Sequence, residues 1–476
     1  MTREEWRRDA VFVAGRWQPT YEGRTLGVEN PATEEIVGSS AEAGRGEVDD
    51  AVAAAAAAFP GWAGLPVGDR GTVLRRWLGE LRSRRELLVE TTIAEVGAPR
   101  KVAEESHVDT GLAVLEGYLA AAGSVPWEER VANSLVLREP IGVVGCITPW
   151  NYPLYQVLAK VGGALVAGCT VVLKPAELTP LSAYLLADAA AAAGLPAGVF
   201  NLVPGAGRVV GEALVAHPGV DMVSFTGSTG VGARVSTLAA PTVKRVALEL
   251  GGKSASVVLP DADLPAAVEG TVAAAMLNSG QTCSAWSRLL VPADRLDEAV
   301  ASAAAAAERL VVGDPEATDT LIGPVVSAAQ RETVLGFVRR AVEQGAVVAA
   351  GGPDRPVGLD RGHYVAPTVV TAVRPDAEIV REEVFGPVLT VQAYRDEDDG
   401  LAMANAPDYG LSGAVWSGSE EAALAFARGM RTGQVDVNGA AFNPTAPFGG
   451  YRRSGNGREL GKWGIEEFLE TKSVQR

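Results

Sequence analysis

The chain has 476 residues and a formal net charge of −16, so attraction to nucleic acid or to an anionic membrane surface is disfavoured. Hydrophobic residues make up 47% and charged residues 21%, a balance that suits two or three cored domains and excludes a disordered chain. The 3 cysteines are too few for a disulfide framework, and the 3 histidines lie far apart without a metal-binding spacing, so metal chemistry has no support.

Residues 1–6 hold no apolar signal core, and the expectation is a soluble, cytoplasmic protein. Short strands are predicted at 11–13 and 28–31, with Ala14-Gly15 as a turn. Helical patterns with i, i+4 apolar spacing follow at 47–60, 69–97 and 100–122. The alanine runs at 53–58, 189–193 and 303–307 read as close-packed helix faces, since alanine is the best helix former. Residues 124–139 read as a two-stranded excursion with little to pack against. The uncharged stretch 140–159 is long enough to span a bilayer, yet Pro149, Asn151 and Pro153 make it strand, loop and helix.

Beyond residue 140 the pattern alternates between strand and helix. Strands are predicted at 141–147, 170–174, 199–203, 220–225 and 243–250, then at 255–259, 288–292, 388–394, 412–416 and 434–437. This alternation predicts an α/β fold of two Rossmann-like, doubly wound lobes with a cleft between them and ligands at the carboxyl ends of the strands. The tail 468–475 reads as a further strand, and an exposed edge of this kind is usually covered, often by another subunit. The arginine clusters at 75–76, 82–85 and 452–453 are short and read as solvated faces. A serine hydrolase is unsupported, because no Gly-x-Ser-x-Gly elbow occurs.

Candidate chemistry concentrates on Cys283, within Gly280-Gln281-Thr282-Cys283-Ser284-Ala285-Trp286-Ser287-Arg288. A thiol among small polar residues and near an arginine suits a nucleophile of lowered pKa, although a lone cysteine is also often a buried structural residue. Upstream, the apolar run ending in Glu249-Leu250-Gly251-Gly252-Lys253-Ser254 projects a carboxylate from a strand end. Thr148-Pro149-Trp150-Asn151-Tyr152-Pro153 adds a side-chain amide on a constrained loop. Nucleophile, base and amide donor are the parts that acyl chemistry needs.

Two glycine-bearing loops are candidates for holding phosphate. Thr226-Gly227-Ser228-Thr229-Gly230-Val231-Gly232-Ala233 lies between a strand and a helix, but is neither a Walker A loop nor a standard dinucleotide fingerprint. Gly205-Ala206-Gly207-Arg208-Val209-Val210-Gly211 misses the fingerprint spacing by one residue. Each loop reads equally as a plain turn. Lys174 and Glu177, at the end of strand 170–174, read either as ribose ligands or as a surface ion pair. A carboxylate there would repel a 2′-phosphate and favour NAD over NADP.

Together with Phe225-Thr226-Gly227-Ser228, Glu382-Glu383-Val384-Phe385-Gly386-Pro387 and Pro447-Phe448-Gly449-Gly450, these motifs resemble the aldehyde dehydrogenase superfamily over essentially the whole chain. The resemblance implies an NAD-binding domain of residues 1–123 and 140–251 and a catalytic domain of 252–450. It also implies a small β subdomain for oligomerisation, from 124–139 and 451–476, in a homodimer or homotetramer. Cys283 would attack the aldehyde, with the Asn151 amide and the Cys283 N–H holding the oxyanion. Hydride loss to nicotinamide would leave a thioester, which water activated by Glu249 would hydrolyse to the acid.

The cofactor positions carried over are Thr148, Pro149, Trp150, Lys174, Glu177, Gly207, Phe225, Gly227, Ser228, Val231, Gly232, Leu250, Gly251, Glu383 and Phe385. Of these, Lys174 and Glu177 would hold the adenosine ribose, Ser228 and Trp150 would sit near the pyrophosphate, and Glu383 and Phe385 near the nicotinamide ribose and ring. NAD is the expected cofactor, with NADP as the alternative. Tyr152, Tyr155, Phe442 and Phe448 are expected to line an apolar entrance for an uncharged aldehyde. Trp286 would either narrow that channel or pack behind strand 288–292. Arg288 and Arg452 remain as cations that a charged substrate could meet. Competing readings are a semialdehyde dehydrogenase that acylates coenzyme A, which the carboxylate at Glu249 disfavours, and a catalytically silent relative that binds NAD.

Overall fold

Apolar runs buried on both faces become the central strands of two parallel sheets, while alanine-rich segments pack on them as helices. The computed structural model describes residues 4–476. In chain order the strands are β1 (Ala10–Val13), β2 (Arg16–Pro19), β3 (Thr25–Asn30), β4 (Glu35–Ala41), β5 (Glu128–Val131), β6 (Ser134–Pro140), β7 (Val143–Ile147), β8 (Thr170–Lys174), β9 (Phe200–Leu202), β10 (Met222–Gly227) and β11 (Arg245–Leu250). They continue as β12 (Ala255–Val258), β13 (Arg288–Pro292), β14 (Val347–Ala350), β15 (Thr368–Thr371), β16 (Val388–Tyr394), β17 (Gly413–Trp416), β18 (Asp436–Val437) and β19 (Leu469–Gln475).

The first sheet runs β11-β10-β7-β8-β9-β1-β2, with the five strands from β11 to β9 parallel. From β7 the chain steps outward to β8 and β9, then returns to lay β10 and β11 on the other side. The loops after β7 and β10 therefore flank the point where the winding reverses, which is where such sheets bind ligands. Every residue of β7 and β8 is buried, as is every residue of the helix Pro153–Ala167. That helix is covered on all sides, and its two polar residues, Gln156 and Lys160, are buried with the rest.

The second sheet runs β14-β15-β16-β13-β12-β17-β18 and is parallel except for the β14–β15 pair. β14 and β15 had no counterpart among the predicted strands; each is only four residues long, and the first is half exposed. A third sheet, β19-β6-β5, joins the excursion to the tail, with Leu469 opposite Pro140 and Gln475 opposite Ser134. The excursion thus does have a partner, contributed by the far end of the chain.

Two helical expectations need correction. The pattern at 69–97 is two helices, Val67–Ser83 and Arg85–Val96, separated at Arg84. The pattern at 100–122 is interrupted by a π-helical stretch, Ala103–Asp109, before the helix Thr110–Ala121. Among the described residues, no helix is long and apolar enough to cross a membrane.

Candidate active site

The Cys283 loop is shaped by an unusual reversal of the backbone. The helix Leu264–Met276 ends, and the chain turns back through Asn278, Ser279 and Gly280, all left-handed at φ 54°, 57° and 72°. Gly280 is required by space as well as by conformation: a Cβ there would lie 2.0 Å from the Gly386 carbonyl oxygen.

Asn278 exploits its left-handed backbone to stitch two loops together. Its Nδ2 donates to the Asn151 carbonyl at 2.9 Å and, at 3.4 Å, to that of Gln281. Asn151 Nδ2 donates to the same Gln281 carbonyl at 3.0 Å. The Gln281 side chain is itself fixed, donating to Asn278 O at 3.1 Å and accepting from Val326 N at 2.8 Å. Tyr152 and Thr282 share a hydroxyl hydrogen bond of 2.7 Å. The loop after β7 and the loop before β13 are therefore one rigid unit that carries both Asn151 and Cys283.

Cys283 is partly exposed, into a cavity of about 270 Å³, whereas Cys146 and Cys169 are buried. Burial pushes the Cys283 thiol up to about 12, and the carboxyl groups of Glu383 and Glu249 push it the same way. This corrects the expectation of a lowered pKa. Arg288 does not serve the thiol, because its guanidinium donates to the carbonyls of Lys253, Met403 and Ala404 at 3.0, 2.8 and 2.9 Å. Arg452 likewise bonds the carbonyls of Asn405 and Pro407.

Glu249 lies in β11 opposite Thr226 of β10, and it is buried with neither carboxyl oxygen bonded to another protein group. Burial and the nearby Glu459 hold its carboxyl well above the usual range. Of the two cations whose charge reaches it, Lys160 pairs with Glu459 at 2.6 Å and Arg458 donates to the carbonyls of Gly450 and Gly457. Glu249 is thus the carboxyl left free. Gly449 makes room for it, since a Cβ there would lie 2.7 Å from Glu249 Oε1.

The residues predicted to hold a cofactor fall into three groups. At the end of β8, the buried Lys174 Nζ lies 3.8 Å from Glu177 Oε1, which accepts from Gly207 N at 2.5 Å. At the end of β10, Ser228 caps the helix Thr229–Ala239 by accepting from Val231 N at 3.4 Å. There Phe225 packs on Gly227 and Leu250 on Gly232, Val231 is half exposed, and a Cβ on Gly230 would meet nothing within 4 Å. Near Cys283, the Trp150 and Phe385 rings meet edge to face at 5.2 Å. Glu383 Oε1 accepts from Gly252 N at 3.1 Å, and a Cβ on Gly251 would lie 1.9 Å from Glu383 Oε2. Thr148, before Pro149, donates its N–H to Lys174 O at 3.2 Å and so ties the first group to the third.

Tyr152, Tyr155, Phe442 and Phe448 line the cavity together with Cys283. Their rings form an edge-to-face series, Tyr152–Tyr155 at 6.2 Å, Tyr155–Phe442 at 6.3 Å and Phe442–Phe448 at 6.1 Å. Trp286 lines the cavity and packs edge to face on Trp416 of β17 at 6.3 Å, in the core cluster that also holds Leu289 and Val291 of β13. Two residues of the site were not singled out from the sequence. Asn278 carries a signal in hindsight, a left-handed-tolerant residue directly before Ser279-Gly280. Asp436 offered none, sitting in an ordinary short strand.

A family model described as the aldehyde dehydrogenase family matches residues 17–474. A 3-succinoylsemialdehyde-pyridine dehydrogenase from a Pseudomonas species is 49% identical over 468 residues, 97% of each chain. Among solved structures, a mutant aldehyde dehydrogenase C of Pseudomonas syringae, in complex with NAD+ and octanal, is 44% identical. It superposes with a TM-score of 0.98 over 100% of this chain and 98% of that one. An aldehyde dehydrogenase of Mycobacterium tuberculosis complexed with NAD+ is 41% identical, with a TM-score of 0.96 over 99% and 98%.

Proposed function

This chain belongs to the aldehyde dehydrogenase family, and from that premise we propose that it oxidises an aldehyde to the carboxylic acid with NAD, through an acyl group carried on Cys283. The observation that carries the reading is the cavity thiol of Cys283, held on one rigid unit with the Asn151 amide and within electrostatic reach of the unbonded Glu249 carboxyl.

The chain's residues divide the work as follows. Cys283 attacks the carbonyl carbon of the aldehyde, its proton leaving to solvent or to a neighbouring base. Asn151 spends one amide hydrogen on Gln281 and has a second to offer the oxyanion, beside the Cys283 N–H. One such donor is worth about 3 kcal/mol in the transition state. NAD, when bound, would supply the hydride acceptor that the chain itself lacks, and Cys283 would keep the acyl group as a thioester. Glu249, ionised, then takes a proton from the attacking water, and the acid departs.

The fit to NAD is supported by the three groups of residues. Lys174 and Glu177 offer a cation and a carboxylate to the ribose hydroxyls, and Glu177 would repel the 2′-phosphate of NADP. The open helix start after Ser228 offers backbone amides to a pyrophosphate. Glu383, with Trp150 and Phe385, would hold the nicotinamide riboside near the thiol.

Glu249 favours water over coenzyme A as acyl acceptor. We also assign residues 1–123 and 140–251 to a cofactor domain, 252–450 to a catalytic domain, and the β19-β6-β5 sheet to pairing in a homodimer or homotetramer, with cytoplasmic work suited to an essential thiol. The test is NADH formation from a panel of aldehydes without coenzyme A, with light scattering for the assembly. Wild type should turn over and Cys283→Ser should not. Turnover only with coenzyme A, or turnover by Cys283→Ser, would overturn the proposal.

A further inference from the structure

The substrate cavity carries one charge, and it is not explained by the chemistry at Cys283. Among the described residues that line the cavity, Asp436 is the only Asp, Glu, Lys, Arg or His. It opens β18 at the end of the second sheet and is half-buried. Its carboxylate accepts from one neutral group, Gln434 Nε2, at 2.9 Å to Oδ1 and 3.1 Å to Oδ2. No Lys, Arg or His among the described residues lies within ion-pair distance of it, although most acidic groups of the second lobe that are drawn into contacts pair with arginine.

A partly desolvated carboxylate without a cation is costly unless something enters to neutralise it. A single amide leaves several of its acceptor positions free. Beside it on the cavity wall stand Tyr155, Phe442, Phe448 and Trp286, whose ring faces attract cations as well as hydrocarbon. The same wall offers no group that could neutralise an anionic substrate.

We propose that this cavity selects aldehydes whose far end carries a protonated nitrogen, which the Asp436 carboxylate and the surrounding aromatic rings receive while the carbonyl reaches Cys283. Gln434 acts as the positioning residue that holds the carboxylate in place. Burial also raises the Asp436 carboxyl above its ordinary value, the expected behaviour of a group that lacks its counter-ion. The inference rests on the proposed oxidation, and it replaces the expectation of an uncharged aldehyde with that of a cationic one.

The test compares aldehydes of equal chain length ending in methyl, hydroxyl, ammonium or carboxylate, at several lengths, on wild type, Asp436→Asn and Gln434→Ala. Wild type should prefer the ammonium-ended member over the carboxylate-ended one by tenfold or more in kcat/KM. Asp436→Asn should lower the ammonium-to-methyl ratio by about tenfold or more, chiefly through KM, because a charge-assisted bond becomes a neutral one. Gln434→Ala should lower it less. An unchanged ratio in Asp436→Asn, a hydroxyl end that serves as well as an ammonium end, or an equal rate with the carboxylate end would overturn the proposal. Binding of simple alkylammonium ions against matched alcohols to Cys283→Ser, by calorimetry, gives a readout free of turnover. If no aldehyde yields NADH the proposed oxidation fails, whereas alkylammonium binding lost in Cys283→Ser/Asp436→Asn still upholds the cation subsite and its persistence refutes it.

Discussion

Gly280→Ala perturbs the reversal on which the site depends. The new methyl group would lie 2.0 Å from Gly386 O, 2.1 Å from Gly386 C and 2.5 Å from Pro387 N, all backbone atoms that cannot swing aside. Ordinary packing needs more than 3.0 Å, so the Cys283 loop and the segment after Glu383 must part by about 1 Å. Holding alanine at φ +72° adds about 1–2 kcal/mol, and overpacking of this kind costs about 1–3 kcal/mol more. A displacement of about 1 Å at a reacting group can cost about 100-fold in rate. The expected result is therefore a drop of about two powers of ten in kcat/KM for NADH formation, with a lowered melting temperature. Gly79→Ala, where no atom lies within 4 Å of the new Cβ, is the control and should be neutral or slightly stabilising. A Gly280→Ala enzyme with wild-type kcat/KM and wild-type melting would refute the reasoning.

Because burial and the carboxyl groups of Glu383 and Glu249 raise the Cys283 thiol to about 12 in this arrangement, and it must lose its proton to attack, kcat/KM should go on climbing with pH into the alkaline range, and alkylation of the cofactor-free thiol should climb with it. A rate already level at about pH 6 would contradict the assigned environments. Glu177→Ser should raise NADP turnover relative to NAD by about tenfold, by removing the charge that repels the 2′-phosphate; an unchanged ratio would detach Glu177 from cofactor choice. Lys160→Met leaves the buried Glu459 without its 2.6 Å partner and should cost about 3–5 kcal/mol in denaturant unfolding, where a loss below about 1 kcal/mol would show the pair to be dispensable.

The central strands were legible because burial on both faces writes a continuous apolar run; β8, β13 and β16 begin and end where the pattern placed them. β14 and β15 were not, since four-residue strands near the sheet edge carry too little pattern. Proximity in the site was partly legible. Strand ends followed by glycines pointed to Glu249 and the Ser228 helix start, and short aromatic motifs pointed to the cavity wall. Direction was not. Arg288 stands five residues from the thiol yet turns its guanidinium to three carbonyls on the far side, a choice made by the packing of β13 against the segment around Met403. The thiol's raised pKa follows from burial and from the carboxyl groups of Glu383 and Glu249, none of which the residues around Cys283 record. Asp436 entered the cavity for the same kind of reason, through its place at the sheet edge.

Intact-mass and peptide mass spectrometry of Glu249→Gln, quenched during turnover of an oxidisable aldehyde with NAD, examines the chemistry at its source. The account predicts an acyl adduct at near one per chain on the peptide containing Cys283, formed with a burst of NADH and released slowly. Normal steady-state turnover without an adduct, or an adduct on Cys146 or Cys169 instead, would contradict it.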